Sequence, residues 1–273
     1  MKEEFKLVRL AGRKKIIGRT LAQVLPDWHA DNERFLFVGA HDDDLVVGAG
    51  LLMQLAKREN VPVFILIATD GSMGYCSLEE KDSISEIRRR ETFECYHSLG
   101  VPEENILWLG FPDCQMNNFR GRRPAIENDR GVIAGFTGTQ NSFTYYLRKI
   151  KPSRCFVVSS ADLHPDHLIV NEELLISLFH STGSIWPELG APLDETPLIY
   201  ELANYCNFPG PPQLQINTPI SLLDKKISAI EAYRSQRQIE ATAGIVKRGG
   251  PVEYIRELQF KLYTPSDYDH LFE

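Results

Sequence analysis

Residues 34–40 read RFLFVGA, a short run of aromatic and branched apolar side chains, and after four intervening residues the stretch LVVGAGLLMQLAKREN begins at Leu45 with apolar residues at helical spacing. The pattern predicts a buried strand that turns directly into a helix. The same pairing recurs along the chain. Strands are predicted at 34–40, 62–68, 105–109 and 154–160, and helices at about 45–58, 83–98, 141–150 and 167–180. Apolar strands alternating with amphipathic helices build βαβ units, so the expected class is α/β: three layers, a mostly parallel sheet, helices on both faces and right-handed crossovers. Further strands are predicted at 197–203 and 213–217 and a helix at about 219–235, while the tail beyond shows no clear pattern. A chain of 273 residues can bury one large core, so a single domain spanning 1–273 is expected. Within it, residues 1–33 read as an accessory segment packed on the rest. Ile16, Ile17, Thr20, Leu21, Val24 and Leu25 would line one helical face there, and Pro26 would end that helix.

Composition removes several classes of function. The net charge of −7 gives no nucleic-acid footprint. Five cysteines with no C-x-x-C pair indicate neither a disulfide framework nor a cysteine zinc cluster, and a reducing cytoplasm is the simplest location. The opening MKEEFKLVRLAGRKK scatters its charges instead of placing a basic head before an apolar run, unlike a secretory signal. No stretch approaches the roughly 18 apolar residues of a membrane span.

Chemistry concentrates at two turns. His41, Asp42, Asp43 and Asp44 follow the 34–40 strand, and in open parallel sheets ligand sites gather at the carboxyl ends of strands. A single Asp there would serve as a helix cap. Three carboxylates beside an imidazole suit a divalent cation better. The 154–160 strand leads into SSADLHPDHLIV, which places His164, Pro165, Asp166 and His167 before another helix on the same sheet edge. Imidazole and carboxylate ligands suit zinc, and a catalytic zinc takes three protein ligands plus a water. Two His and one Asp would satisfy it. Zinc lowers the pKa of its water to about 7, a nearby carboxylate can take the proton, and a second His can stabilise an oxyanion. Two long connections also begin at strand ends, one at Thr69 and one at Gly110. The second contains Arg120, Arg122, Arg123 and Arg130, which read either as a solvated basic loop or as a recognition loop for an anionic substrate group.

These motifs resemble the zinc-dependent N-acetylglucosaminyl deacetylases of the LmbE-like (PIG-L) family. The family's A-H-P-D-D corresponds to Ala40, His41, Asp42, Asp43 and Asp44, and its H-P-D-H is matched in full at His164–His167. The T-D-G at Thr69–Gly71, the R-x-x-E at Arg88–Glu91 with Leu99-Gly100 after it, and KISAIEAYRSQ at Lys226–Gln236 are also similar to family features, so the resemblance spans about 34–240. It implies a Rossmann-like fold with His41, Asp44 and His167 as zinc ligands and Asp43 as general base. His164 would be the electrophilic partner of the tetrahedral intermediate, oriented by Asp166, and Arg88 would lie at the site against carboxylates or substrate. The expected activity is removal of an N-acetyl or other N-acyl group from an amino sugar such as an N-acetylglucosamine derivative. The expected partner is therefore a small N-acetylated sugar or conjugate, without nucleic acid or membrane, and the trimers and hexamers common among relatives imply a homo-oligomer. Three positions depart from the family: Asp42 replaces Pro, Leu45 stands where many relatives are acidic, and Tyr233 stands where a His is common.

Two other readings use the same residues. Asp42-Asp43-Asp44-Leu45-Val46 also fits the D-x-D-x-[TV] of a haloacid-dehalogenase-type phosphatase, with Thr69 ending a second strand and Asp162 and Asp166 spaced D-x-x-x-D. Asp42 would then be the nucleophile, Asp44 the acid/base and magnesium the metal, which leaves His41, His164 and His167 without a role. The third is a sugar- or nucleotide-binding protein on the same scaffold that lacks the reaction. Gly48-Ala49-Gly50 falls short of a dinucleotide fingerprint.

Overall fold

A strand without polar side chains has to be covered on both faces. The computed structural model, which describes residues 5–259 and 263–272, shows how this chain does so. Met1–Glu4, the head of the charge-scattered N-terminal stretch, lie outside the described residues. The chain opens with β1 (Lys6–Ala11), β2 (Lys14–Gly18) and the single-turn α1 (Leu21–Val24). Then come β3 (Phe35–Gly39), α2 (Asp44–Arg58), β4 (Val63–Thr69), α3 (Ile84–Ser98) and β5 (Ile106–Phe111). A small hairpin, β6 (Arg123–Pro124) and β7 (Phe136–Thr137), precedes α4 (Thr139–Ile150), β8 (Arg154–Val158), α5 (Pro165–Thr182) and β9 (Leu198–Leu202). The chain continues through β10 (Leu214–Asn217), α6 (Ile220–Ile230), α7 (Ile239–Gly249) and β11 (Val252–Leu258).

Alternate residues of a strand face opposite sides of its sheet. In β3, Phe35 and Phe37 enter one apolar core together with α2, α3, α6 and α7, while Leu36 and Val38 enter a second core with α4 and α5. Helices therefore cover both faces, as expected. The sheet itself is mixed, which corrects the expectation of a mostly parallel one. Its order is β2-β1-β10-β11-β9-β8-β3-β4-β5, and only the run from β9 to β5 is parallel; every pairing from β9 outward to β2 is antiparallel.

The N-terminal segment is also corrected. Residues 14–18 form the edge strand β2, and only Leu21–Val24 are helical, ending before Pro26 as expected. Ile16 and Ile17 point to opposite faces of an edge strand, so adjacent apolar residues gave a false helical stripe. The helix expected over 219–235 stops at Ile230, and the unassigned tail supplies α7 and β11. β11 slots between β9 and β10 and joins the two halves of the sheet.

The strand order positions the site. From β3 the chain moves outward to β4 and β5, then returns to place β8 on the other side of β3. Such a reversal opens a crevice at the carboxyl ends of the two diverging strands. His41–Asp44 and His164–His167 follow those two strands.

Helix α2 is broken at Ala49 (φ −145°, ψ 18°), and the groups released there are bonded by distant residues. Leu51 and Leu52 donate their N–H groups to Glu253 of β11 at 2.7 and 2.9 Å. Lys226 Nζ of α6 donates to Val47 O and to Glu253, both at 2.7 Å. The buried pair thus stands in for missing helical hydrogen bonds and fixes the first turn of α2 relative to the sheet. Glu253→Ala is expected to destabilise the protein by about 3–5 kcal/mol, because it strands a buried ammonium and two amides. Urea unfolding measures this. Adding Lys226→Met should recover part of the loss; simple additivity would show that the two side chains act independently.

Candidate metal centre and its carboxylates

The His41 turn is held before any ligand arrives. Ala40 O accepts from Thr69 N at 3.0 Å and from Thr69 Oγ1 at 2.9 Å, which ties the ends of β3 and β4 together. His41 N–H donates to Asp44 Oδ2 at 2.8 Å, so the turn folds the carboxylate back toward its own imidazole. His167 enters from the first turn of α5.

Two imidazole nitrogens and one carboxylate converge. His41 Nδ1 and His167 Nε2 lie 3.1 Å apart, His167 Nε2 lies 3.1 Å from Asp44 Oδ1, and His41 Nδ1 lies 3.6 Å from Asp44 Oδ2. The far nitrogen of each imidazole faces a carboxylate: His41 Nε2 is 3.0 Å from Asp113 Oδ1, and His167 Nδ1 is 3.3 Å from Asp162 Oδ1. Carboxylates behind ligating imidazoles fix tautomer and ring orientation at metal sites. Asn204 Nδ2 donates to Asp44 Oδ1 at 2.7 Å. Two imidazoles and a carboxylate on one point, each braced from behind, are a donor set that fits zinc.

His164 caps α5. Its Nδ1 accepts from Asp166 N–H at 3.2 Å, and its ring stands edge-on to that of His41 at 4.5 Å. The Asp166 carboxylate was expected to orient His164. It instead accepts from Cys114 N–H at 2.8 Å and lies 3.8 Å from His41 Nε2, so the orienting contact comes from the Asp166 backbone.

Arg88 divides the remaining carboxylates. Its Nε donates to Asp42 Oδ2 at 3.1 Å, and its Nη2 bonds Asp42 Oδ1 and reaches Asp43 Oδ1 at 3.2 Å. Thr92 Oγ1 donates to Asp42 Oδ2 at 3.0 Å, and the hydroxyls of Tyr96 and Tyr233 donate to Asp42 O at 2.6 and 2.7 Å. Asp42 is 1% exposed. No substrate phosphorus could reach it, which removes the nucleophile that the phosphatase reading requires. A Cβ at Gly74 would collide with Arg88 Nη1, so the loop after β4 needs glycine there to close over the guanidinium.

Charge states follow these contacts. Burial opposes charge on His41, but its hydrogen bonds to Asp113 and Asp44 prevail and hold it well above the ordinary value. His167 is likewise opposed by burial, yet Asp44 and Asp162 push it up to about 9. Burial favours protonating Asp44, but His167 and His41 hold it well below the carboxylate range. Asp113 is brought down to about 2 against burial by His41. Asp43 goes the other way. Burial raises it, Arg88 only partly countering, with Asp42 and Asp44 adding to the rise.

The family model described as PIG-L, GlcNAc-PI de-N-acetylase, matches residues 36–177, which include both turns. The chain belongs to the PIG-L family. It is 23% identical over 240 residues to a probable N-acetyl-alpha-D-glucosaminyl L-malate deacetylase 2 of Bacillus cereus, covering 84% of this chain and 96% of that one. Among solved structures it is similar to the N,N'-diacetylchitobiose deacetylase of Pyrococcus horikoshii (TM-score 0.68, 22% identity, 92% and 93% of the two chains). It is also similar to GalB, the 4-carboxy-2-hydroxymuconate hydratase of Pseudomonas putida KT2440 (TM-score 0.65, 16% identity, 85% and 98%). These structural likenesses concern the fold.

Within the PIG-L family, the departures of this chain have local explanations. Leu45 is fully buried in the α2 core, where a carboxylate would have no partner, and Tyr233 uses its hydroxyl on the Asp42 carbonyl. Three of the four arginines of the long loop are engaged in ion pairs. Arg120 pairs with Glu172 (2.6 Å) and Glu173 (3.2 Å), and Arg123 with Asp129 (2.7 Å). Arg122 pairs with Glu188 and lies 3.5 Å over the Phe136 ring; Arg130 is exposed. Asp113 and Asn204 were not among the expected site residues. The strand expected to end at 109 runs to Phe111, and that extension places Asp113 just beyond a third strand end, where it should have been sought.

In metal-free protein, His167 is held near 9 against an ordinary 6.5, so its contribution is complete below pH 6.5 and is lost as pH rises through 9. The expected loss is roughly 3 kcal/mol. His167→Gln should flatten that part of a stability profile from chemical unfolding at each pH. A wild-type profile that is level between pH 6.5 and 9 would contradict this assignment.

Proposed function

We propose that this protein is a zinc-dependent N-deacetylase that hydrolyses the amide of an N-acetylated amino sugar or its conjugate, releasing acetate and a free amine. The observation that supports it most is the convergence of His41, Asp44 and His167 beside a carboxylate, Asp43, that stays outside the donor triangle. Those three residues would hold the zinc. When bound, it supplies Lewis acidity toward the substrate carbonyl and lowers the pKa of an adjacent water to about 7.

The rest is work for side chains. Asp43 takes a proton from the attacking water as oxygen bonds to the carbonyl carbon, and burial among like charges favours its holding that proton. It then returns the proton to the nitrogen as the C–N bond breaks. His164 accepts at Nδ1, so in its neutral form Nε2 bears the hydrogen and can donate to the developing oxyanion. Neutral donation suits a ring whose basicity is lowered by burial and by His41 and His167. Arg88 keeps Asp43 oriented while Asp42 absorbs most of the guanidinium's charge.

Among the described residues, no helix is long and apolar enough to cross a membrane. All five cysteines are free thiols. Because a hydratase shares the fold, the decisive assay is release of acetate from a panel of N-acetylated sugars and conjugates, with metal content measured on the same sample. Asp44→Ala and His167→Ala are expected to lose zinc. Asp43→Asn should keep zinc and lose about 10²–10⁴-fold in kcat, and His164→Ala should keep zinc and lose about 10²-fold. Wild-type turnover by Asp43→Asn would remove the base assignment; acetate release unaffected by loss of zinc would remove the metal's role.

A further inference from the structure

A second space lies beside the candidate metal centre. Val47 and Gly48, about one helical turn beyond Asp44, form one wall of a cavity of about 650 Å³, closed otherwise by the loop 203–212, α7 and the start of β11. Small-molecule sites fall at ~300–1,000 Å³. Two residues belong to both places. Asn204 lines the cavity and donates to Asp44 Oδ1 at 2.7 Å, and Tyr205 lines it while its ring stacks on that of His167 at 5.5 Å. The cavity therefore adjoins the donor triangle across these two side chains. Asn204 Oδ1 is buried and has no hydrogen-bond partner among the described residues, which leaves an acceptor at the junction.

The chemistry of the cavity limits what enters it. Phe208, Pro212, Val246 and Val252 line it, with Ile245 and Tyr254 exposed at 62% and 46%. The charged side chains on its wall, Lys226 and Glu253, bond to each other at 2.7 Å and to the broken helix, so neither is free for a ligand. An anionic group would lose water without gaining a cation.

We propose that this cavity is an aglycone subsite, and that the substrate is an N-acetylated amino sugar bearing an uncharged, largely apolar aglycone such as an aryl or alkyl group. The proposal rests on the N-deacetylase reading of the metal centre. Burying apolar surface there would favour such conjugates over the free sugar.

The test uses the full-length protein and two readouts. Calorimetric titration compares the phenyl glycoside of glucosamine with glucosamine itself. Acetate release compares the phenyl glycoside of N-acetylglucosamine with N,N'-diacetylchitobiose and with N-acetylglucosaminyl malate. The phenyl glycoside is expected to bind about tenfold tighter than glucosamine, and Phe208→Ala or Ile245→Asp to remove most of that ratio. Ile245 is exposed, so its substitution does not threaten the fold. A ratio unchanged in both variants overturns the proposal, as does faster turnover of the malate conjugate or the disaccharide than of the phenyl glycoside. Variant-sensitive binding of the phenyl glycoside with no acetate released from any conjugate would leave the cavity assignment standing and remove the N-deacetylase reading instead.

Discussion

Three consecutive carboxylates cannot be buried at one turn unless each is given a different partner, since like charges a few ångströms apart in a poorly solvated site repel by several kcal/mol. This chain separates them by direction. Asp42 turns toward α3 and meets Arg88 and Thr92; Asp44 turns toward α5 and meets His167; Asp43 lies between, touched only by the edge of the guanidinium. The unequal division gives identical side chains different chemistry. Asp42 is taken up by Arg88 and Thr92, Asp44 is held as an anion by two imidazoles, and Asp43 is raised above the ordinary carboxylate value.

The division depends on elements far apart in sequence. Arg88 can sit beneath the turn because Gly74 has no side chain to block it, Asn204 from the loop after β9 holds the Asp44 carboxylate, and α2 is fastened around its break by Glu253 and Lys226. Glu253 belongs to β11, the strand that links the parallel half of the sheet to the antiparallel one. The antiparallel extension is thus more than added surface: its strand β11 bonds the helix that follows the first motif.

Much of this was readable from residues. RFLFVGA declared a strand buried on both faces, and a strand of that kind implies helices on either side. Two His-bearing turns after parallel strands implied a shared edge, and His41 Nδ1 and His167 Nε2 do lie 3.1 Å apart there. What escaped notice was information stored in pairing rather than in periodicity. Lys14–Gly18 and Val252–Leu258 take strand conformation because a neighbouring strand is present, while their own sequences, KKIIG and VEYIREL, alternate weakly. Asp113 escaped for a related reason: a two-residue error at the end of β5 concealed that a third strand delivers a carboxylate to the same edge. The direction of the Asp166 carboxylate, toward Cys114 instead of His164, depends on a loop contact that no local pattern encodes.

The likeness to a hydratase shows how little of the reaction the scaffold decides. Amide hydrolysis and hydration of a double bond both need a polarised substrate and a water relieved of its proton, and a crevice with a cation, a base and a neutral donor can serve either. What separates them is which substrate atom is brought to the water and what receives the proton afterwards. In this chain Asp43 is bonded by Arg88 and lies outside the His41–Asp44–His167 cluster, and a cavity whose two charged side chains pair with each other lies one helical turn from Asp44; on the N-deacetylase reading proposed above, Asp43 would hold a proton and return it to a departing nitrogen. On that reading both features concern the leaving side of the substrate, and the identity of the reaction would be set by what surrounds the candidate metal centre as much as by the residues that would form it.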